Sequence, residues 1–281
     1  MELGKCRKWV QCLWAVLTNG YIQGLNGHLY KGWLKHFCVP GMNCYACPLA
    51  FGSCPIGALQ ALLTQRKKEI PFYVIGFLFL IGFSVGRFIC GWLCLFGLIQ
   101  ELLYRIPIKK LNIPKKQDNL LRKLKYLILF VFVILLPTIL REEYGIGVPY
   151  FCKYICPVGT LEGGIPFYIL DEGIRAAAHW LFVWKFVILI IVMVLCTIIY
   201  RPFCKYICPL GAVYSFFQKV SLLKMTVNND KCLHCNKCSQ ICKMNINPIN
   251  DVNSLECIRC GDCIEGCPAK AISFKIERSI K

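Results

Sequence analysis

Eight cysteines near the C-terminal end repeat one spacing twice. Cys232, Cys235, Cys238 and Cys242 form the first run; Cys257, Cys260, Cys263 and Cys267, followed by Pro268, form the second. C-x2-C-x2-C-x3-C in duplicate is the ligand arrangement of a pair of [4Fe–4S] cubes, in which the fourth cysteine of each run crosses to the other cube. The expected sets are Cys232, Cys235, Cys238 with Cys267, and Cys257, Cys260, Cys263 with Cys242. Structural zinc sites do not use four-cysteine runs of this period. Lys243 stands where a proline usually follows the first run, which affects the local turn rather than the ligand set.

The rest of the chain is of another kind. Of its 281 residues 57% are hydrophobic, against about 45–50% in soluble domains, and the excess is concentrated in blocks. Four of these, Trp9–Leu29, Pro71–Ile89, Leu124–Leu140 and Trp180–Tyr200, are candidate membrane spans. The first is interrupted by Thr18, Asn19, Gln23 and Asn26, which should face the bundle interior. Its basic start resembles a signal peptide, but no small-residue cleavage site follows, so it reads as an uncleaved span. The expected fold class is an α-helical membrane protein, with four transmembrane helices in two similar halves over 1–223. A C-terminal α+β 2[4Fe–4S] ferredoxin-like domain follows over 224–281. The 21 cysteines have spacings of clusters rather than disulfides, and an assembled ferredoxin unit implies a reducing compartment. A formal charge of +18 without any nucleic-acid motif points to a membrane surface or an acidic electron carrier as partner, and not to nucleic acid.

The ferredoxin unit must meet soluble redox partners, which places it in the cytoplasm and, through four spans, the N-terminus as well. The chain is thus a multi-pass protein of the cytoplasmic membrane. Segment 98–125 is then internal and carries Arg105, Lys109, Lys110, Lys115, Lys116, Arg122, Lys123 and Lys125 against Glu101 and Asp118. The external segment 141–179 is acid-rich, with Glu142, Glu143, Glu162, Asp171 and Glu172 against Arg141, Lys153 and Arg175. Both obey the positive-inside rule. Arg66, Lys67 and Lys68 in the external segment 30–70 disobey it, and an amphipathic helix on the outer surface would account for them.

A second cysteine pattern recurs in RFICGWLCLFG, YFCKYICPVG and RPFCKYICPLG. Its element C-x3-C-x-x-G places two thiols on one face if the segment is an α-helix. Two such pairs facing each other complete one cube. Cys90 and Cys94 follow the second span, and Cys204 and Cys208 the fourth, so these pairs meet at the inner face. Arg87 and Arg201 each stand three residues before the first cysteine. They are expected either to donate to cluster sulfurs and offset the cluster charge, or to anchor the span ends by snorkelling. Cys152 and Cys156 lie at the outer face with Cys38, Cys44, Cys47 and Cys54 of the first outer loop. Six cysteines exceed one cube by two: either two are bystanders or a second centre sits there. Cys6, Cys12 and Cys196 fit no motif and read as small buried hydrophobes.

With these motifs in place, the chain resembles the membrane-bound iron–sulfur family of the periplasmic nitrate reductase and methylamine-utilisation quinol dehydrogenases (NapH/MauN type). More distantly it resembles the membrane core of nitrous-oxide-reductase accessory flavoproteins (NosR-like). The likeness rests on Arg7, Gln11 and Asn19, on NCYACPLAFGSCPIGALQ, on GRFICGWLCLFG and CKYICPLG, and on the doubled cysteine tail. It implies membrane-bound electron transfer, often with quinol. Leu95 replaces the family's proline after the second cysteine, and the Cys152/Cys156 pair is additional.

The leading expectation is a transmembrane electron wire. Electrons would pass from a cytoplasmic carrier, ferredoxin-like or a flavoprotein, through two ferredoxin clusters, an inner-face [4Fe–4S] cluster and one or more outer-face centres. They would end on an extracytoplasmic or membrane redox subunit, which makes the chain an electron-transfer subunit of an oxidoreductase. The alternative within enzymes is quinol oxidation or quinone reduction, with quinone as a further cofactor and His28, His36, Glu142, Glu143 or His179 as proton acceptor. A redox sensor or metalloenzyme assembly factor is the non-catalytic alternative. No P-loop, dinucleotide or flavin fingerprint, Ser-His-Asp arrangement or zinc-protease motif is present.

Overall fold

Nineteen consecutive residues without glycine or proline make Trp180–Ile198 a continuous helix. Among the described residues it is the one helix both long and apolar enough to cross a bilayer. The computed structural model describes residues 3–65, 71–111, 113–140, 147–177 and 180–276. The expected amphipathic segment at Arg66–Lys68 lies outside these residues.

The other expected spans are helical but differ in extent. The first helix, Leu3–Thr18, stops short of Leu29. The Thr18 hydroxyl bonds back to the Trp14 carbonyl at 2.8 Å, and a short 3-10 turn, Ile22–Asn26, follows. Sixteen residues reach only about 24 Å. The second, Phe72–Val85, is broken at Gly86, whose φ of +53° only glycine adopts without cost. The chain resumes as Phe88–Trp92 and Leu95–Tyr104. The third, Lys115–Ile128, continues through a π-helical stretch, Leu129–Leu135, into Leu136–Ile139. The wider turn accommodates Pro137, which has no N–H to give.

Polarity in this bundle is inverted. The buried residues of the first helix are Arg7 and Gln11, while Trp9, Leu13, Val16 and Leu17 point outward. In Lys115–Ile128, Asp118, Arg122 and Lys125 are buried and Leu120, Leu121, Leu124 and Leu127 are exposed. Cys12 shares the outward face and is exposed, unlike the expectation of a buried thiol; Cys6 is half-buried, and Cys196 is buried as expected.

Strand Leu223–Val227, which straddles the anticipated 223/224 boundary, pairs antiparallel with Ile272–Ile276. Leu223 lies opposite Ile276, and Val227 opposite Ile272. Short helices Lys237–Ile241 and Asp262–Glu265 lie between the strands in sequence. Met225, Cys238, Cys263 and Ile272 form a separate small core there.

The Cys257–Cys260 loop plugs into the helical bundle. Gly91 packs against the Ile258 carbonyl so closely that any side chain would collide. Trp92 Nε1 donates to Arg259 O at 3.0 Å and Gln218 Nε2 to Cys257 O at 2.8 Å. Arg259, fully buried in a left-handed conformation (φ +51°), donates to Val85 O, Gln218 O and Ser221 Oγ at 2.8–2.9 Å.

Candidate functional site

The cysteines fall into four groups. In the C-terminal unit one small cavity is lined by Cys232, Cys235, Cys238 and Cys267, and another by Cys242, Cys257, Cys260 and Cys263. The second is the one whose loop enters the bundle. Burial pushes the Cys257 thiol up, and burial together with Cys257 and Cys242 pushes Cys263 up to about 12. These groups are therefore protonated until a metal displaces the proton.

Inside the bundle Cys90, Cys94, Cys204 and Cys208 are all buried and close enough to interact electrostatically. Cys44, Cys54, Cys152 and Cys156 form a second group within electrostatic reach of one another, with Cys54 and Cys156 buried and Cys44 and Cys152 half-buried. Cys47 adjoins Cys44 and faces the Asn19 side chain, while Cys38 sits beside Ser53. Of six candidates at this end, four converge and two flank.

Of the three C-x3-C segments, the one with Cys90 is α-helical as expected (Phe88–Trp92), and the other two are not. Phe151–Ile155 and Phe203–Ile207 are π turns, closed by Cys156 N→Phe151 O and Cys208 N→Phe203 O, both 2.9 Å. Each second cysteine is extended (ψ 110–116° at Cys94, Cys156 and Cys208) and begins a new helix. Proline follows Cys54, Cys156 and Cys208, and it suits the first helical position because it lacks the N–H that would be orphaned there. The sulfur thus sits over the positive helix N-terminus. Cys208 Sγ accepts from Gly211 N at 3.3 Å.

The two halves answer each other across both groups. Arg87 Nη2 donates to Cys204 O at 3.3 Å, and Arg201 Nη1 donates to Cys90 O. Gln60 Oε1 accepts from Cys152 N at 3.2 Å, and Glu162 Oε2 from Cys44 N at 2.7 Å. Gln100, six residues after Cys94 as Gln60 is after Cys54, donates to Cys204 Sγ at 3.0 Å. Among the described residues no hydrogen bond from Arg87 or Arg201 to a cysteine sulfur is found. The guanidinium donors go to the Cys204 and Cys90 carbonyls and to Glu256 (Arg87, 2.7 Å) or Glu101 (Arg201, 2.9 Å). Both arginines are fully buried, which does not fit a snorkelling anchor. Sequence reading missed Gln60, Gln100 and Glu162, although their common offset from C-x-x-G was visible. Burial pushes Glu162 up to about 7, against the pull of the Cys44 N–H.

The glycine of each motif leaves room for what faces it. A β-carbon at Gly97 would stand 2.9 Å from Arg201 Nη1; at Gly211, 3.6 Å from Arg87 Nη2; at Gly159, 3.6 Å from Cys44 Sγ; at Gly57, 4.0 Å from Cys152 Sγ. We therefore expect Gly97→Ala to cost about 1–3 kcal/mol through overpacking. Gly76→Ala, in a helix where a β-carbon meets nothing within 4 Å, should instead gain up to about 1 kcal/mol. Thermal unfolding in detergent measures both.

Four thiols per group fit a cubane. No three described His, Cys, Asp or Glu side chains converge tightly enough for a single ion, whereas a cube spreads its thiolates over four irons. Glu162 Oε1 and both amide atoms of Asn43 are buried without partners near the Cys44 group. That group borders a mostly apolar cavity of about 980 Å³, also lined by Asn43, His36, Tyr73, Lys153 and Lys185. Of the anticipated proton acceptors only His36 lines it; Glu142, Glu143 and His179 lie outside the described residues, and His28 does not reach it.

The 4Fe-4S binding domain family matches the chain in four stretches, 53–73, 69–114, 126–165 and 180–228, which hold the four helix-initiating cysteines. The chain is 31% identical over 228 residues to an uncharacterised protein, MJ0750, of Methanocaldococcus jannaschii, covering 80% of this chain and 87% of that protein. It is 24% identical to the putative electron transport protein YccM of Escherichia coli, covering 88% of this chain and 64% of YccM. It is 26% identical to the methylamine utilization ferredoxin-type protein MauN of Methylorubrum extorquens, covering 67% and 59%. No solved structure matches. Cysteines at four helix starts, answered by a cysteine-rich C-terminal unit, thus have a family context: the chain belongs to the 4Fe-4S binding domain family, with relatives that include a putative electron transport protein and a ferredoxin-type protein.

Proposed function

We propose that the chain is an integral-membrane electron-transfer subunit with four [4Fe–4S] centres in series, linking a cytoplasmic carrier to an acceptor across the membrane. The observation that carries this reading is the succession of cysteine groups joined by closely packed segments. The Cys232 cavity is followed by the Cys257 cavity, whose loop packs on Gly91, then by the Cys90 group and the Cys44 group. When bound, the clusters supply one-electron carriers.

The residues do the rest. Thiols from both halves hold each bundle centre. Helix starts and peptide N–H groups face the sulfurs, and Arg87 and Arg201 place fixed positive charge beside the Cys90 group. Such donors and charges raise a cluster's potential. The outward apolar faces of the first helix, of Phe72–Val85, of Lys115–Ile139 and of Trp180–Ile198 support four membrane-embedded segments. Positive-inside counting supports both termini in the cytoplasm.

Anaerobic iron and acid-labile sulfide content with Mössbauer spectra tests this. About sixteen irons per chain is expected; about eight would leave only the C-terminal pair and remove the bundle centres.

A second reading is favoured by the cavity beside the Cys44 group. Its volume and apolar, aromatic lining suit a quinone ring, with His36 placed to exchange the proton. Absence of quinol oxidation would dismiss it, and quinol oxidation unchanged in His36→Ala would remove this cavity as its site.

A further inference from the structure

The segment Pro40–Asn43 passes between the two cysteine groups of the bundle and touches both. Tyr214, fully buried, donates its hydroxyl to Pro40 O at 2.8 Å. Gly41 lies against the Cys90 group: a β-carbon there would come within 3.3 Å of Cys94 Cα. The Met42 backbone N–H is turned toward Cys94 Sγ, while its thioether Sδ lies 3.8 Å from Cys54 Sγ. The Asn43 backbone N–H is turned toward Cys54 Sγ. Met42 itself is buried, at 4% exposure. One residue therefore meets a thiol of each group, by its main chain on one side and its side chain on the other.

We propose that Met42 is the bridge that couples the two bundle centres electronically, held in place by Tyr214 and admitted by the missing side chain of Gly41. The inference rests on both groups holding clusters, as proposed above. Electron tunnelling weakens more steeply across gaps than along bonded atoms and short contacts. The route from Cys94 through the Met42 main chain and side chain to Cys54 leaves only two non-bonded steps. Sulfur is polarizable and makes the second of them soft. One electron passes per event, one centre being oxidised as the other is reduced; no bond forms or breaks, no proton moves, and the thioether is not itself oxidised. Tyr214 also lies within electrostatic reach of Cys90, Cys94, Cys38 and Cys54, but its hydroxyl is spent on Pro40, which makes it a positioning residue.

The test uses the full chain, purified and reconstituted anaerobically, with Met42→Leu compared with the parent protein. Three quantities are measured: iron per chain, the magnetic interaction between the two reduced bundle centres by EPR, and the rate at which the second centre follows flash reduction of the first. Met42→Leu preserves volume and backbone, so full iron is expected, with a rate about tenfold lower and unchanged midpoint potentials once the thioether is gone. Full iron with the parent rate overturns the bridge and leaves the four-centre chain standing. About eight irons in the parent protein overturns both. If Met42→Leu itself loses iron, Gly41→Ala provides the comparison, since it keeps every side chain of both groups and lifts only the segment. A slower rate and weaker EPR interaction then support the bridge, and parent values overturn it.

Discussion

Replacing Cys90 and Cys208 together with alanine is expected to remove about four of about sixteen irons per chain and to abolish electron transfer across the membrane. One cysteine is lost from each half, so neither half can retain the cube on a remaining pair. The C-terminal cavities share no cysteine with this group, and their EPR signals should survive. Proteoliposomes with a reduced donor on one side and a trapped acceptor on the other give the readout. Transfer that continues in the double variant would reject the assignment of the Cys90 group, whatever the C-terminal unit binds.

Glu256→Ala is expected to detach the C-terminal unit from the bundle. Glu256 is 2.5–2.7 Å from Lys125 Nζ and from Arg87 Nη1, and all three are buried. Burial alone would raise its carboxyl, but Arg87 and Lys125 outweigh that and hold it below the usual carboxylate range. Removing it strands two cations, and breaking a buried pair on one side costs about 3–5 kcal/mol. Limited proteolysis near 219–224 and loss of docking report the effect. Combining Glu256→Ala with Arg87→Met and Lys125→Met should recover much of the loss, because the uncompensated charges go too. No recovery would mean that the acid acts through something other than this pairing. Glu101 plays the corresponding part for Arg201, joined there by Arg7 and Tyr200. The C-terminal unit thus supplies to one arginine the counter-charge that the bundle supplies to the other.

Local chemistry was legible. Apolar blocks mark the helices, because burial in lipid or protein selects composition directly. Cysteine spacing marks candidate ligands, because thiols that share an iron cube must lie within a few residues or at matched helix ends. Less legible were the helix limits. The Leu3–Thr18 helix ends where the Thr18 hydroxyl turns back on the backbone, and two of the three C-x3-C segments adopt π turns because the second cysteine must leave the helix to begin the next. The arginines were visible, but not their partners: Glu256 and Glu101 lie 169 and 100 residues away, and long-range pairing has no local signal.

Residue order alone established an apolar helical chain with a doubled cysteine run, cysteine pairs ahead of C-x-x-G, and a family resemblance. These are properties of composition and spacing, fixed before any contact forms. Packing decided which four of six thiols converge, that Arg87 and Arg201 serve carbonyls and carboxylates, that the Cys257 loop faces the bundle, and that Met42 lies between two thiol groups. Those facts depend on segments distant in sequence closing on one another, and only the folded core, where each buried charge and donor must find a partner, selects among the possible closures.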